Sequence, residues 1–182
     1  VEDPTPFIFL GGLDARPDGH RNVVVAVDRP LEETGEHTPV GLLELREHPP
    51  SCGARGTALA AHVPPDHIAK GVLVGDASGW LLAVIPGSHW LRLEALRREF
   101  DRPGLELAPE TEVLARFGDC EPGSVPPLAP AYGLEGVLDE ALTSLANVYF
   151  EAGDHEELIH VSGEAFETLL SGVRQGYYSH DE

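Results

Sequence analysis

The chain has 182 residues, and 31 Asp and Glu against 12 Lys and Arg give a formal net charge of −19 with histidine neutral. Its length and 42% hydrophobic content suit one core of ordinary size, whereas the acidity excludes a broad nucleic-acid footprint, which clustered Lys and Arg carry. The longest apolar stretch, residues 80–85, is far shorter than the roughly 18 residues of a membrane-spanning helix, so no membrane partner is expected.

Two apolar runs, 7–10 and 22–27, flank the turn signal Pro17-Asp18-Gly19 and predict a β-hairpin. Residues 28–39 are polar and aperiodic, which reads as a loop or a poorly formed helix. A short strand over 42–46 is ended by His48-Pro49-Pro50, because proline removes a ladder donor. The Ala-rich stretch 55–62 predicts a helix closed by Pro64-Pro65. Residues 68–74 and 80–85 form two central strands joined across Asp76-Ala77-Ser78-Gly79. Leu93, Leu96 and Phe100 share a helical face that Pro103-Gly104 terminates; Pro109, Glu110 and Glu112 then open a helix with Val113, Leu114 and Phe117 inward. Residues 118–136 are rich in Gly and Pro, and a structureless stretch of that length inside a compact domain is expected to be functional. Strands come next at 137–139, 147–151 and 158–161, and Phe166, Leu169, Leu170 and Val173 line a closing helix. The expected class is mixed α/β (α+β), with a largely antiparallel, barrel-like mixed sheet and flanking helices.

Eleven of the twelve basic residues are arginine, which leaves Lys70 as the single lysine. Strand alternation places it on a face with Ile68, Val72 and Val74. An ammonium there either snorkels to water or meets an anion in a pocket. In the Gly/Pro segment, Gly123 can present backbone N–H groups to an oxyanion, and Pro126-Pro127 stiffens the chain beyond it; the plain alternative is a rigid connector. Asp139 alone reads as a turn or cap acceptor. Ser124 lacks the Gly-x-Ser-x-Gly frame of a nucleophile elbow. No phosphate loop, dinucleotide fingerprint or His-Glu-x-x-His pattern occurs, so neither a cofactor nor a metal is expected. Cys52 and Cys120 form no metal-type or redox-type pair, and the opening Val1-Glu2-Asp3-Pro4 has no secretory-signal character; together these suit a cytoplasmic protein.

Four segments in order carry a family resemblance: His48-Pro-Pro50, Ile68-Ala-Lys70-Gly-Val-Leu-Val74, Gly123-Ser-Val-Pro-Pro127, and Val137-Leu-Asp139-Glu140 with the later Val148-Tyr-Phe-Glu-Ala-Gly153. Through them the chain resembles the YbaK-type aminoacyl-tRNA deacylases, relatives of the editing domain of bacterial prolyl-tRNA synthetases. The resemblance implies an N-terminal extension over 1–40 and a deacylase domain over 41–182. It implies hydrolysis of the ester of a mischarged tRNA, of tRNAPro or with a small amino acid. The aminoacyl-tRNA acceptor end would be the partner, beside an aminoacyl-tRNA synthetase, with no DNA. Carried over by residue, Lys70, Gly123 and Asp139 would be catalytic, Asp139 by bracing the pocket. His48, Ser124, Val125, Pro126, Pro127, Gly153 and His155 would bind substrate. The residues at 151–155 and Leu158 match neither the cysteinyl nor the alanyl pattern of the family. That departure keeps open a catalytically silent module that binds an aminoacyl or nucleotide end.

Overall fold

A computed structural model describes residues 8–15, 21–27, 38–39, 43–118 and 120–181. The first sheet runs in the order β1 (Ile8–Ala15), β2 (Arg21–Val27), β4 (Leu43–Glu47), β11 (Glu157–Ser162) and β10 (Asn147–Glu151), with β3 (Thr38–Pro39) also on β2. Its neighbours are antiparallel throughout. The expected first hairpin is thus present as β1 and β2, and its turn residues lie outside the described residues. β2 pairs directly with β4, so this hairpin extends the same sheet.

The second sheet is ordered β12 (Arg174–Gly176), β9 (Glu135–Asp139), β6 (Gly79–Pro86), β5 (Ala69–Asp76) and β8 (Glu106–Leu107). β5 and β6 form the expected antiparallel hairpin, and its turn is held by the Asp76 carboxylate accepting from the Ser78 N–H at 2.8 Å. β9 runs parallel to both β6 and β12, so the sheet is mixed. Leu81 to Ile85 are all fully buried, as befits a strand covered on both faces. A parallel bridge between Ile68 and Tyr149 couples the two sheets at one corner. They do not close into a barrel among the described residues.

Two cores arise from the alternation along β5 and β6. Ala69 and Val84 face a cluster containing Leu43, Phe150, Val161 and Phe166, in which α5 (Gly163–Leu169) packs on the first sheet. The opposite face, with Val74, Leu81 and Ala83, is covered by Leu96 of α2 (Leu93–Glu99) and by Tyr178. The helix expected at 55–62 is α1 (Gly53–Ala61), ended by His62 at φ +55°. The helix opened by Pro109 is α3 (Glu110–Arg116), but only part of its expected face is inward: Phe117 is 1% exposed and Leu114 39% exposed. The expected structureless stretch 118–136 is also more ordered than its composition suggests. It holds a 3-10 turn at Ala129–Tyr132 and gives Glu135 and Gly136 to β9. Six short elements have no counterpart in the sequence reading: α4 (Glu140–Thr143), β3, β7 (Trp90–Leu91), β8, β12 and β13 (Ser179–His180). Elements of two to four residues are too short for any periodicity to show.

Candidate active site

Lys70 leaves β5 half-buried, and its Nζ donates to the carbonyl oxygens of Gly87 at 3.1 Å and His89 at 2.7 Å. The ammonium also lies 5.8 Å from the centre of the Trp90 ring. Burial, and then the positive charge of Arg55, hold its pKa below the usual lysine value. Cys52, Gly53, Arg55, Lys70, His89 and Trp90 line a cavity of about 220 Å³ here, with the start of α1 as one wall. Lys70 therefore meets both open alternatives of the sequence reading in part: its stem is packed, and its head faces a pocket rather than bulk water alone.

Asp139 is 3% exposed and engaged on both oxygens. Oδ1 caps α4 by accepting from the Ala141 N–H at 2.9 Å, while Oδ2 accepts from the Tyr178 N–H at 2.8 Å and the Ser179 hydroxyl at 2.9 Å. Ser179 Oγ also lies 2.8 Å from His89 Nδ1. Asp139 thus reaches Lys70 through Ser179 and His89, whose carbonyl holds the ammonium.

The loop after α3 lies on the other face of β5. A side chain on Gly71 would meet Pro127 Cα at 3.5 Å, so this neighbour of Lys70 is the residue beneath the loop. Among the described residues no hydrogen bond joins Lys70 to residues 122–127. The expectation of a cation beside an amide-rich loop is met only across the thickness of one strand, because successive side chains of a strand point to opposite faces.

The loop is built stiffly. Ser124 is fully buried, and its N–H and hydroxyl both donate to the Glu121 carbonyl, at 3.1 and 2.8 Å. The buried Pro126 accepts from the Leu128 N–H at 2.8 Å, and Pro127 is buried as well. Gly123 sits at φ +91°, a conformation that glycine adopts without a Cβ penalty. Among the described residues the N–H groups of Gly123 and Val125 take no hydrogen bond. Both residues line an apolar cavity of about 430 Å³ with Gly71, Leu82, Val113 and Phe117.

His155 holds the loop from below, with its Nε2 2.7 Å from the Pro122 carbonyl oxygen and its ring beside Gly123. It belongs to the turn between β10 and β11, where Asp154 Oδ1 accepts from the N–H groups of Glu156 and Glu157 at 3.1 and 3.0 Å. Gly153, at φ +121°, lets Cys120 pack against this turn; a Cβ there would lie 3.3 Å from the sulfur. His48 docks on the same turn through its N–H to the Glu156 carbonyl at 2.8 Å. The structure therefore brings together Gly123, His155, Gly153 and His48, and it places Lys70 and Asp139 in the separate network described above.

One residue at the centre of the first group had no site role in the sequence reading. Glu151 is 6% exposed and is hydrogen-bonded by the Thr57 hydroxyl of α1, which in turn lies 2.8 Å from Ser51 Oγ. Burial raises its pKa above the usual carboxylate value, opposed by the Thr57 bond and by His155 and His48. The available signal was an acid directly after Val148-Tyr149-Phe150, which is informative because an unpaired carboxylate is costly to bury.

The pattern of the aminoacyl-tRNA editing domain matches residues 48–169. The chain belongs to this family of YbaK-like editing domains. The matched stretch holds every candidate residue named above. Among curated proteins, the proline–tRNA ligases of two Xanthomonas oryzae pv. oryzae strains are each 33% identical over 94 residues. That covers 52% of this chain and only 16% of each ligase. Among solved structures, the hypothetical protein APE2540 is 25% identical, with a TM-score of 0.67 over 76% of this chain and 91% of its own. A protein provisionally described as a trans-editing enzyme for prolyl tRNA synthetase is 24% identical, with a TM-score of 0.66 over 76% of this chain and 87% of its own. The mixed fold of the editing domain is thus shared with both.

Proposed function

We propose that this editing domain hydrolyses the ester linking a wrong amino acid to the 3′ end of a tRNA, with tRNAPro or a tRNA carrying a small amino acid as substrate. The observation that carries the reading is the rigid loop 122–127, whose Gly123 and Val125 N–H groups donate to no other described residue and border a cavity within a chain of the editing family. Such amides suit the oxyanion that forms when water attacks the ester carbonyl. As the tetrahedral species collapses, the acyl carbon–oxygen bond breaks, the ribose oxygen takes a proton, and the free amino acid leaves. An aminoacyl ester is already activated, so positioned water and a polarised carbonyl suffice without a protein nucleophile.

Lys70 and Arg55 supply local positive charge beside the Trp90 ring, which suits the phosphate and terminal adenosine of an acceptor end. Asp139 acts as a positioning residue for that pocket. A contact confined to the acceptor end reconciles tRNA binding with a net charge of −19. We assign the activity to residues 41–182, with 1–40 as an N-terminal extension whose β1 and β2 add to the sheet.

The test is deacylation of tRNAPro mischarged with alanine or cysteine, beside correctly charged Pro-tRNA and Ala-tRNA, by wild type and Lys70→Ala. Turnover of a mischarged species that is lost in the variant is the expected result. A folded wild-type protein that turns over none of them would sink the reading, and a melting shift by the same esters would then favour a silent binding module.

A further inference from the structure

The cavity of about 430 Å³ beside the loop 122–127 is lined almost wholly by hydrocarbon. Its floor is the core cluster of Leu73, Leu82 and Phe117, all buried. Its walls are Val113 and Leu114 of α3, the loop residues Gly123 and Val125, and Leu107 of β8. The rim is held against β5 by the Ala108 N–H, which donates to the Leu73 carbonyl at 2.9 Å. Gly71 keeps the floor clear, since a side chain there would press on Leu82 Cδ1 at 3.1 Å. Among the described lining residues, Glu110 is the single one with a polar side chain, and it is exposed at the start of α3. Leu107 is 61% exposed and Leu114 39%, so two of the five large apolar side chains that the described residues leave exposed stand at this one hollow. Its volume falls within the range of about 300–1,000 Å³ usual for small-molecule sites, and an apolar group entering it removes both leucines from water.

We propose that this cavity receives the side chain of the misattached amino acid and selects apolar side chains that extend beyond the methyl group of alanine. The assignment rests on the editing function proposed above and names the class of acyl group on which it acts. The loop decides the occupant. Gly123 and Val125 line the cavity and also supply the amides for the ester carbonyl. The side chain of an aminoacyl ester starts two bonds from that carbonyl carbon, so a carbonyl held by the loop brings its side chain to the mouth of the cavity. A methyl group leaves most of the hollow unfilled, and each further methylene covers more of the apolar lining. A hydroxyl among Leu73, Leu82, Val113 and Phe117 loses its water and gains no side-chain partner in return. The pocket therefore reads polarity as well as length, and it does so on the face of β5 opposite Lys70.

The experiment measures deacylation of tRNAPro carrying alanine, 2-aminobutyrate, norvaline, valine or threonine, each kcat/KM divided by the uncatalysed rate of the same ester. In parallel, valinamide and threoninamide are titrated against the methyl resonances of Leu107, Val113 and Leu114. Normalised kcat/KM should rise roughly fourfold with each methylene from alanine to norvaline, and valine should exceed its isostere threonine by roughly 10- to 100-fold. Valinamide should shift the three sets of methyls saturably, and threoninamide far less. Ala108→Leu, which fills the cavity from its rim, should lower the norvalyl-to-alanyl ratio by about tenfold, with a melting curve to show that the variant is folded. Turnover that is indifferent to side-chain length and polarity overturns the pocket while leaving the editing function in place. An unchanged ratio in folded Ala108→Leu overturns it as well. Saturable methyl shifts with no turnover of any ester overturn the editing function and keep the apolar pocket. Shifts of the same methyls on concentrating the protein alone would show a second copy covering this face and would overturn the assignment.

Discussion

Two buried carboxyl groups lie at the ends of consecutive strands, Asp139 closing β9 and Glu151 closing β10, and they live in opposite circumstances. Asp139 accepts from two backbone N–H groups and one hydroxyl, and every oxygen is occupied. Glu151 has one hydroxyl on one oxygen and nothing on the other. A fully satisfied buried acid is a structural joint, here between β9, α4 and β13. A half-satisfied one is unfavourable until something else arrives. The contrast separates the joint that shapes the pocket around Lys70 from a buried carboxyl group that its own surroundings leave half-satisfied.

Replacing Lys70 tests that separation most severely. Lys70→Ala is expected to reduce kcat/KM by about 100-fold or more, the scale of a lost positioning group, with little change in the circular dichroism spectrum. If activity survives, the cavity of about 220 Å³ around it is not part of the reaction site. Asp139→Ala comes next. Three donors lose their acceptor, so urea denaturation should show a loss of about 3 kcal/mol. Asp139→Asn should recover part of both stability and activity, because its amide oxygen can still accept. If Asp139→Ala leaves stability unchanged, the joint is not what holds Ser179 and His89 in place.

Gly123→Ala is milder. The φ of +91° is unfavourable for any side chain, and roughly 1–2 kcal/mol of strain is expected. The loop should move, lowering kcat more than it raises KM. Equal effects on both would argue against an oxyanion role for the loop amides.

The smallest effect concerns Glu151 and pH. Burial raises its pKa, so folded protein binds more protons than unfolded protein between the ordinary and the raised value. Its contribution to stability is present at acid pH and lost as pH rises through the raised pKa. Glu151→Gln cannot ionise; its melting temperature relative to wild type should therefore climb between pH 4 and pH 7. A wild-type advantage that grows over that pH range would show Glu151 to be a paired, stabilising carboxylate.

The residues that were legible in advance share a property: their roles depend on a short stretch of chain. The apolar run 80–85 could only be a central strand, since burying it needs cover on both faces. Asp139 was readable as a cap acceptor from its place after Val137 and Leu138, and it does cap α4. Gly123, His48 and His155 could be named through family resemblance, and the structure gathers them. What could not be read was their grouping. Lys70 and Gly71 are adjacent in sequence yet serve opposite faces of β5, and only the neighbours of that strand decide which face meets the loop. Leu114 fits helical periodicity, but α3 is too short and too peripheral to bury its whole apolar stripe.

By itself, then, the sequence determined the longer elements and the mixed fold, because periodicity, turn residues and apolar runs act over a few neighbours, and its four short segments carried the resemblance to the family. Tertiary structure alone decided the site. Thr57 and Glu151 are 94 positions apart, and Pro122 and His155 are 33 apart. The acceptors left unpaired around Glu151 exist only because β4, α1, β10 and the loop converge there. Whether a polar atom is satisfied depends on everything that packs around it, and no local pattern of residues encodes that.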